Sequence, residues 1–270
     1  VNRAGRVTDA IGREQAGMSS PALSPDGRRV AAMSWDQGNA DIWVHDVERG
    51  TAQRLTFDPS FDNVPVWSPD GERVVFYSRR GGGSGSGSDS YVISTDGSGS
   101  AELLITRSFS SDWSPDGRYI LYGIGRAVQY LPLAGDKTPV LLKEKTGSSI
   151  FTSRFSPDGR YVAYESSESG RNEVYVTRFP SGDGKWQVSV DGGNSPEWSR
   201  KGDEMFFVAG NTLMAVDVRT GDSFEPGTPV ALFSRDAVTP PLRIVQYDVS
   251  SDGRFVMVQE VTPDEPGEPV

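Results

Sequence analysis

The chain has 270 residues, with 27 Lys and Arg against 37 Asp and Glu, one His and no Cys. A formal charge of −10 argues against nucleic acid and anionic membrane as principal partners, and the lack of Cys excludes disulfides, thiolate metal sites and cysteine nucleophiles. One His excludes any mechanism that needs two imidazoles within the chain, and no apolar run approaches the roughly 18 residues that cross a bilayer.

Gly (31) and Pro (18) are spread along the chain, as many turns and short strands require. Val1 is not an initiator Met and the Pro/Glu-rich stretch from Thr262 to Val270 reads as a loose tail, so the chain is expected to be part of something longer. The organising signal is a repeat. Ser24-Pro25-Asp26-Gly27 recurs as Ser68-Pro69-Asp70-Gly71, Ser114-Pro115-Asp116-Gly117 and Ser156-Pro157-Asp158-Gly159. Ser199-Arg200-Lys201-Gly202 and Ser250-Ser251-Asp252-Gly253 are degenerate copies, and the six glycines stand 44, 46, 42, 43 and 51 residues apart. Pro presets φ and Gly accepts positive φ, so each copy predicts a tight turn.

An apolar strand follows each turn: Val30 to Met33, Val74 to Tyr77, Ile120 to Tyr122, Val162 to Tyr164, Met205 to Val208 and Val256 to Val258. Third strands are predicted at Ile42 to Val44, Tyr91 to Ile93, Val128 to Leu131, Val174 to Val176 and Leu213 to Val216. Outer strands are predicted at Arg54 to Thr56, Leu103 to Ile105, Val140 to Leu142, Trp186 to Val188 and Ala231 to Phe233. No stretch has helical period. Four strands in roughly 45 residues, repeated along the chain, predict an all-β, six-bladed β-propeller of four antiparallel strands per blade.

The expected blades are about 19–56, 62–106, 109–143, 150–190, 194–234, and 244–260 completed by 1–12, with 262–270 as tail. Ile244 to Ser250 and Phe255 to Gln259 supply two strands of the last blade. Arg6 to Ile11 is expected to be its outermost strand, closing the ring and removing a free sheet edge.

Just before each turn Ser stand Leu23, Trp67, Trp113, Phe155, Trp198 and Val249, with Pro21, Pro65, Ser111, Ser153, Pro196 and Tyr247 two residues earlier. Large apolar groups at one position of every innermost strand suit packing between blades better than an aromatic ligand platform. The intervening positions, Ala22, Val66, Asp112, Arg154, Glu197 and Asp248, are expected to face the channel. There Arg154 is expected to serve both Asp112 and Glu197, either as an inter-blade ion pair or as a site for an anionic or zwitterionic ligand.

Catalytic signals are poor. His45 beside Asp46 is the one candidate for a Ser-His-Asp triad, but no nucleophile elbow precedes a helix, and a half-exposed strand position is expected for it. Turn carboxylates such as Asp26, Asp70, Asp116, Asp158 and Asp252 suit backbone hydrogen bonding rather than acid–base work. Calcium needs only oxygen ligands, so Asp58, Asp62, Asp112, Glu197 and Asp248 are candidates, although no Asp-x-Asp-x-Asp-Gly loop is present; no cofactor is expected. Gly81 to Ser88 reads as a flexible linker. Loops entering the innermost strands carry Phe57, Asp58, Phe61 and Asp62, then Arg107 and Phe109, then the stretch from Val238 to Arg243. Together with Asp112, Arg154, Glu197 and Tyr247, these residues are the candidate ligand or partner site.

The Ser-Pro-Asp-Gly turn followed by Arg and an apolar strand resembles the WD40-like, TolB-type propeller repeat. It differs from true WD40 repeats, because Trp35-Asp36 falls in a loop rather than ending a third strand. Arg178-Phe179-Pro180 through Lys185-Trp186-Gln187-Val188-Ser189, then Gly192-Gly193, Trp198-Ser199 and Leu213-Met214-Ala215-Val216, is similar to the propeller C-terminal to the kinase and membrane span of some bacterial serine/threonine protein kinases. The kinase signatures are absent from this chain. The resemblance implies a non-catalytic sensor or interaction module, periplasmic or extracellular, with a protein, peptide or small ligand as partner. A monomer without membrane insertion is expected. The alternative is a hydrolase or lyase with a carboxylate or calcium site at the channel mouth.

Overall fold

Every blade is built around its turn. At Ser24–Gly27 the Gly27 N–H donates to the Ser24 carbonyl (2.9 Å) with Gly27 at φ +73°. Ser24 Oγ donates to Asp26 Oδ1 (2.6 Å) and accepts from the Arg29 N–H (2.9 Å). The same hydroxyl–carboxylate clamp recurs at Ser68–Asp70, Ser114–Asp116, Ser156–Asp158 and Ser250–Asp252. In the degenerate fifth copy Asp203 takes the role, accepting from Ser199 Oγ at 2.8 Å. The turn thus closes on its own side chains, and the apolar strands on either side are free to pair.

The computed structural model describes residues 1–12, 15, 17–35, 38–81, 89–125, 127–144, 152–221, 223–234 and 247–258. The first blade contains β1 (Ser19–Leu23), β2 (Arg29–Ser34), β3 (Asp41–Asp46) and β4 (Ala52–Arg54). The second contains β5 (Asp62–Trp67), β6 (Arg73–Ser78), β7 (Asp89–Ser94) and β8 (Glu102–Ile105). The third contains β9 (Phe109–Trp113), β10 (Tyr119–Ile124), β11 (Ala127–Pro132) and β12 (Val140–Glu144). The fourth contains β13 (Ser153–Phe155), β14 (Tyr161–Ser166), β15 (Glu173–Arg178) and β16 (Trp186–Gln187). The fifth contains β17 (Asn194–Trp198), β18 (Glu204–Ala209), β19 (Thr212–Thr220), β20 (Phe224–Pro226) and β21 (Val230–Ser234). All pairings are antiparallel, with each blade's innermost strand against the strand that follows its turn.

Three expectations change. The sixth sheet has two strands, β22 (Tyr247–Val249) and β23 (Phe255–Met257), so five blades, not six, are complete among the described residues. Arg6 to Ile11 is not a strand. Val1 extends the last sheet instead, its N donating to the Phe255 carbonyl and its carbonyl accepting from the Phe255 N–H, both at 2.8 Å. Blade 5 also carries an unforeseen hairpin, because the nine-residue β19 overruns its blade and pairs with β20 as well as β21. The segment 82–88, the whole stretch from Val238 to Arg243 with the Ile244 end of the predicted strand, the Gln259 end of the next one, and the tail 262–270 lie outside the described residues.

The core consists of layers between blades. Ala31, Met33 and Ile42 of blade 1 pack with Trp67, Val74 and Phe76 of blade 2, and equivalent apolar layers fill the next four seams up to blade 6. Leu23, Trp67, Trp113, Phe155, Trp198 and Val249 are all buried in this system. Their packing explains the repeat's Arg as well: Arg29 stacks over Trp67 (4.7 Å) and Arg73 over Trp113 (4.8 Å), each reaching one blade onward.

The seam between blades 6 and 1 closes by polar contacts. Asp248 Oδ2 accepts from the Leu23 N–H (2.6 Å) and its Oδ1 from the Val249 N–H (2.6 Å). Arg200 spans the same seam, donating to the Val249 carbonyl (3.1 Å) and the Leu23 carbonyl (3.3 Å). Removing the carboxylate leaves two strand amides without their acceptor. Asp248→Ala is therefore expected to lower the unfolding free energy by about 2–5 kcal/mol. Asp252→Ala, in the exposed turn nearby, should change it by no more than about 1 kcal/mol. Paired chemical denaturation of the two variants checks this, and equal losses would remove the seam's special role.

Candidate functional site

The innermost strands line a channel that holds a cavity of about 340 Å³. Its walls differ in chemistry. Blades 1 and 2 present Pro21, Ala22, Val64, Pro65 and Val66, whereas blades 3 to 6 present Asp112, Arg154, Glu197 and Asp248, with Arg200 beside them.

A bulge shapes the apolar wall. The registers of β1 and β5 shift between Ser19 and Ala22 and between Asn63 and Val66, and that of β17 between Asn194 and Glu197. At each bulge a residue preceding Pro is left-handed: Ser20 at φ +53°, Val64 at +51° and Ser195 at +51°. That conformation is costly for a β-branched residue such as Val64. Side chains hold it in place, since Asn63 Oδ1 accepts from the Val64 N–H and Glu165 Oε1 from the Ser195 N–H, both at 2.7 Å.

On the charged wall, Arg154 Nε donates to Glu197 Oε1 at 2.6 Å, and Nη1 donates to the carbonyls of Ser111 and, at 3.2 Å, Ser153. The expected fork onto both carboxylates is not formed. Asp112 is occupied by backbone, accepting from the N–H groups of Trp113 (2.9 Å) and of Phe155 in the next blade (2.7 Å). Asp112 thus repeats, between blades 3 and 4, what Asp248 does between blades 6 and 1. Burial pushes the Asp112 carboxyl up to about 6, with Arg154 opposing. Burial pushes Glu197 up to about 8 against the pull of Arg154, and the charges of Asp248 and Asp112 add to the rise.

Tyr247 is fully buried and donates to the Ser195 carbonyl at 2.7 Å, so it ties blade 6 to blade 5 and does not line the cavity. His45 is also buried rather than half-exposed, with Gly12 packed against its ring. No group of three or more His, Asp or Glu side chains among the described residues could hold a metal ion.

The predicted loop residues form a second region. Phe57 is 70% exposed, and Arg54 lies over its ring at 5.0 Å. Trp35, Phe61, Tyr77 and Phe109 form a chain of rings with centroid separations of 5.9, 6.2 and 5.2 Å. Arg79 lies over Phe61 at 4.9 Å. Asp62 does not belong to this surface: it is buried, paired with Arg80 at 2.6 Å, and raised to about 6 by burial. Asp58 lies 4.0 Å from the same Arg80. Arg107 is exposed at φ +53°, with its N–H donating to Asp89 Oδ1 at 2.8 Å. Arg243 lies outside the described residues.

Trp35, Tyr77, Arg79 and Arg200 are absent from the residues singled out by sequence. Arg200 had a visible signal, since it replaces the turn proline in one repeat and so puts a cation where four copies place an apolar ring and the sixth places Ser251. Trp35 and Tyr77 end or follow second strands, and nothing local marks their convergence.

A sequence model of the Tricorn protease N-terminal β-propeller domain matches residues 1–130. The chain is 31% identical over 113 residues to the uncharacterized peptidase YuxL of Bacillus subtilis, matching 38% of this chain and 17% of that protein. It is 33% identical over 78 residues to the Tol-Pal system protein TolB of Alcanivorax borkumensis, matching 28% of this chain and 18% of that protein. The chain therefore spans less than a fifth of the length of these relatives. Among solved structures, a TolB-type protein of Agrobacterium tumefaciens superposes with a TM-score of 0.65 at 19% identity, covering 80% of each chain. The fold is a TolB-like β-propeller.

The raised channel carboxyls give a pH dependence of defined sign. Folded Glu197 and Asp112 keep protons that the unfolded chain has lost above about pH 4, so their contribution to stability is present at low pH and is lost as pH rises through about 6 and then 8. Glu197→Gln retains an acceptor for Arg154 and removes one titration. Its melting temperature relative to the parent protein is expected to rise between pH 5 and pH 9. Thermal denaturation across that range checks this, and a constant difference would contradict it.

Proposed function

We propose that the chain is a non-catalytic interaction module that docks a protein or peptide segment on the face carrying Phe57, Phe61 and Phe109. The observation that carries this reading is the ring chain Trp35–Phe61–Tyr77–Phe109 with Arg79 laid on it. Aromatic and Arg side chains are the groups that dominate binding energy at interfaces, and here they adjoin one another on one surface.

Charge narrows the partner. Arg79 and Arg107 are exposed and form no ion pair among the described residues. A segment combining carboxylates with aromatic or aliphatic side chains complements these two exposed cations, and this local pairing has to outweigh the long-range repulsion from a chain of net charge −10. The TolB-like fold supports the interaction reading, and a periplasmic or extracellular setting accords with it.

Peptides selected from a random library on the immobilised protein test the proposal. Selected binders should combine Asp or Glu with aromatic residues. Arg79→Glu and Phe61→Ala should each weaken binding by at least about 10-fold, with circular dichroism unchanged. Binders that ignore both substitutions and protect the Asp26, Asp70 and Asp116 turns from hydrogen exchange would overturn it.

A further inference from the structure

The channel cavity lies apart from the proposed docking surface. Its lining includes the turn prolines Pro25 and Pro115, both exposed, so it opens on the side of the Ser-Pro-Asp-Gly turns. From the sequence, binding is expected at the opposite end.

Most polar atoms of the charged wall are already engaged. Asp112 and Asp248 each give both oxygens to backbone N–H groups, and Arg154 uses Nε on Glu197 and Nη1 on two carbonyls. Arg154 Nη2 is one polar atom left over on this wall, and Glu197 supplies the acceptor. It is more than nine-tenths buried and lines the cavity, and its Oε2 has no protein partner among the described residues.

The charges do not balance. Asp112, Glu197 and Asp248 face two guanidiniums: Arg154 against Glu197, and Arg200 at 3.7 Å from Asp248. With Glu197 ionised one negative charge is in excess, which the proton it holds near neutral pH removes, and the wall across the cavity is apolar apart from the Ser20 hydroxyl.

The geometry points to a site for a small organic ammonium ion, its ammonium on Glu197 Oε2 and its apolar body against Ala22, Val64, Pro65 and Val66. A monocation supplies the missing positive charge. A carboxylate would itself be uncompensated, since with Glu197 protonated the two guanidiniums are already balanced by Asp112 and Asp248, so the remaining donor of Arg154 is not enough to make this an anion site. A cavity of about 340 Å³ is at the lower end of ligand-pocket size and suits a compact molecule. In the free protein near neutral pH, Glu197 holds a proton. The ammonium replaces it, so binding releases that proton to solvent.

The test uses three probes of one shape, cyclohexylammonium, cyclohexanol and cyclohexanecarboxylate, titrated calorimetrically into the protein. The ammonium should bind at least about 10-fold more tightly than the other two, since each tenfold step is a modest electrostatic difference. Its affinity should rise about 20-fold from pH 6.5 to pH 8.5 as Glu197 loses its proton. At pH 7 the heat should vary with the buffer's ionisation enthalpy. Glu197→Gln should abolish both binding and the pH effect while the far-ultraviolet spectrum is kept. Ala22→Leu, which fills the cavity and leaves every charge in place, should abolish binding too, and it decides the matter if the Glu197 variant does not fold. Equal or tighter binding of the carboxylate, equal binding of all three probes, binding of none, or ammonium binding unaffected by either substitution would overturn the site.

Discussion

The ring depends on a carboxylate that grips two backbone amides across the seam between the last blade and the first. Asp248 joins β22 to Leu23 in β1, residues 225 apart in sequence. A propeller gains its inter-blade burial only when the last blade reaches the first, so the loop entropy of the whole ring is offset at that seam. Five seams have apolar layers. The sixth relies on Asp248 and Arg200, with Val1 pairing onto Phe255 at its edge. At this seam, among the described residues, directed polar contacts do what layers of Trp, Phe and Val do elsewhere.

The same constraint shapes the channel. A side chain at the channel position of an innermost strand is one blade away from its neighbour's backbone, so a carboxylate there reaches the next strand's N–H. Asp112 and Asp248 both do this, and Arg154 makes the complementary contacts with carbonyls. Glu197 is longer by one methylene and pairs with Arg154 instead, keeping one oxygen toward the cavity. In blades 1 and 2, Ala22 and Val66 put no charge at this position, and bulges turn Pro21 and Pro65 toward the channel. Asymmetry between the walls thus comes from four substitutions in one repeated column.

The two ends of the ring have different chemistry for a related reason. At the turn end each Ser hydroxyl and Asp carboxylate close on one another, which leaves four turn prolines, with Arg200 and Ser251 replacing the other two, at that end of the ring. At the other end the loops are irregular, so aromatic rings from neighbouring blades meet as neighbours: Phe61 from blade 2, Phe109 from blade 3 and Trp35 from blade 1. Rigid blades beneath hold these rings in place, so a partner that docks on them loses little to ordering the surface.

Sequence alone determined the repeat, the strand order within the first four blades and the column that faces the channel. Those features arise from local rules: Pro and Gly in tight turns, alternation along strands, and a large apolar residue wherever blades must pack. It also placed Asp112, Arg154 and Glu197 at one level. Tertiary structure decided which partners they take, because Asp112 meets the Phe155 amide before it can meet Arg154, and that depends on blade spacing. It likewise decided that Val1 rather than Arg6 to Ile11 pairs with the last sheet, that Asp62 and Tyr247 are buried, and that Trp35 joins Phe61 and Tyr77. Such contacts lie between blades, where residues about 45 positions apart become neighbours through the angle of one sheet against the next. Turn chemistry and side-chain period carry no information about that angle.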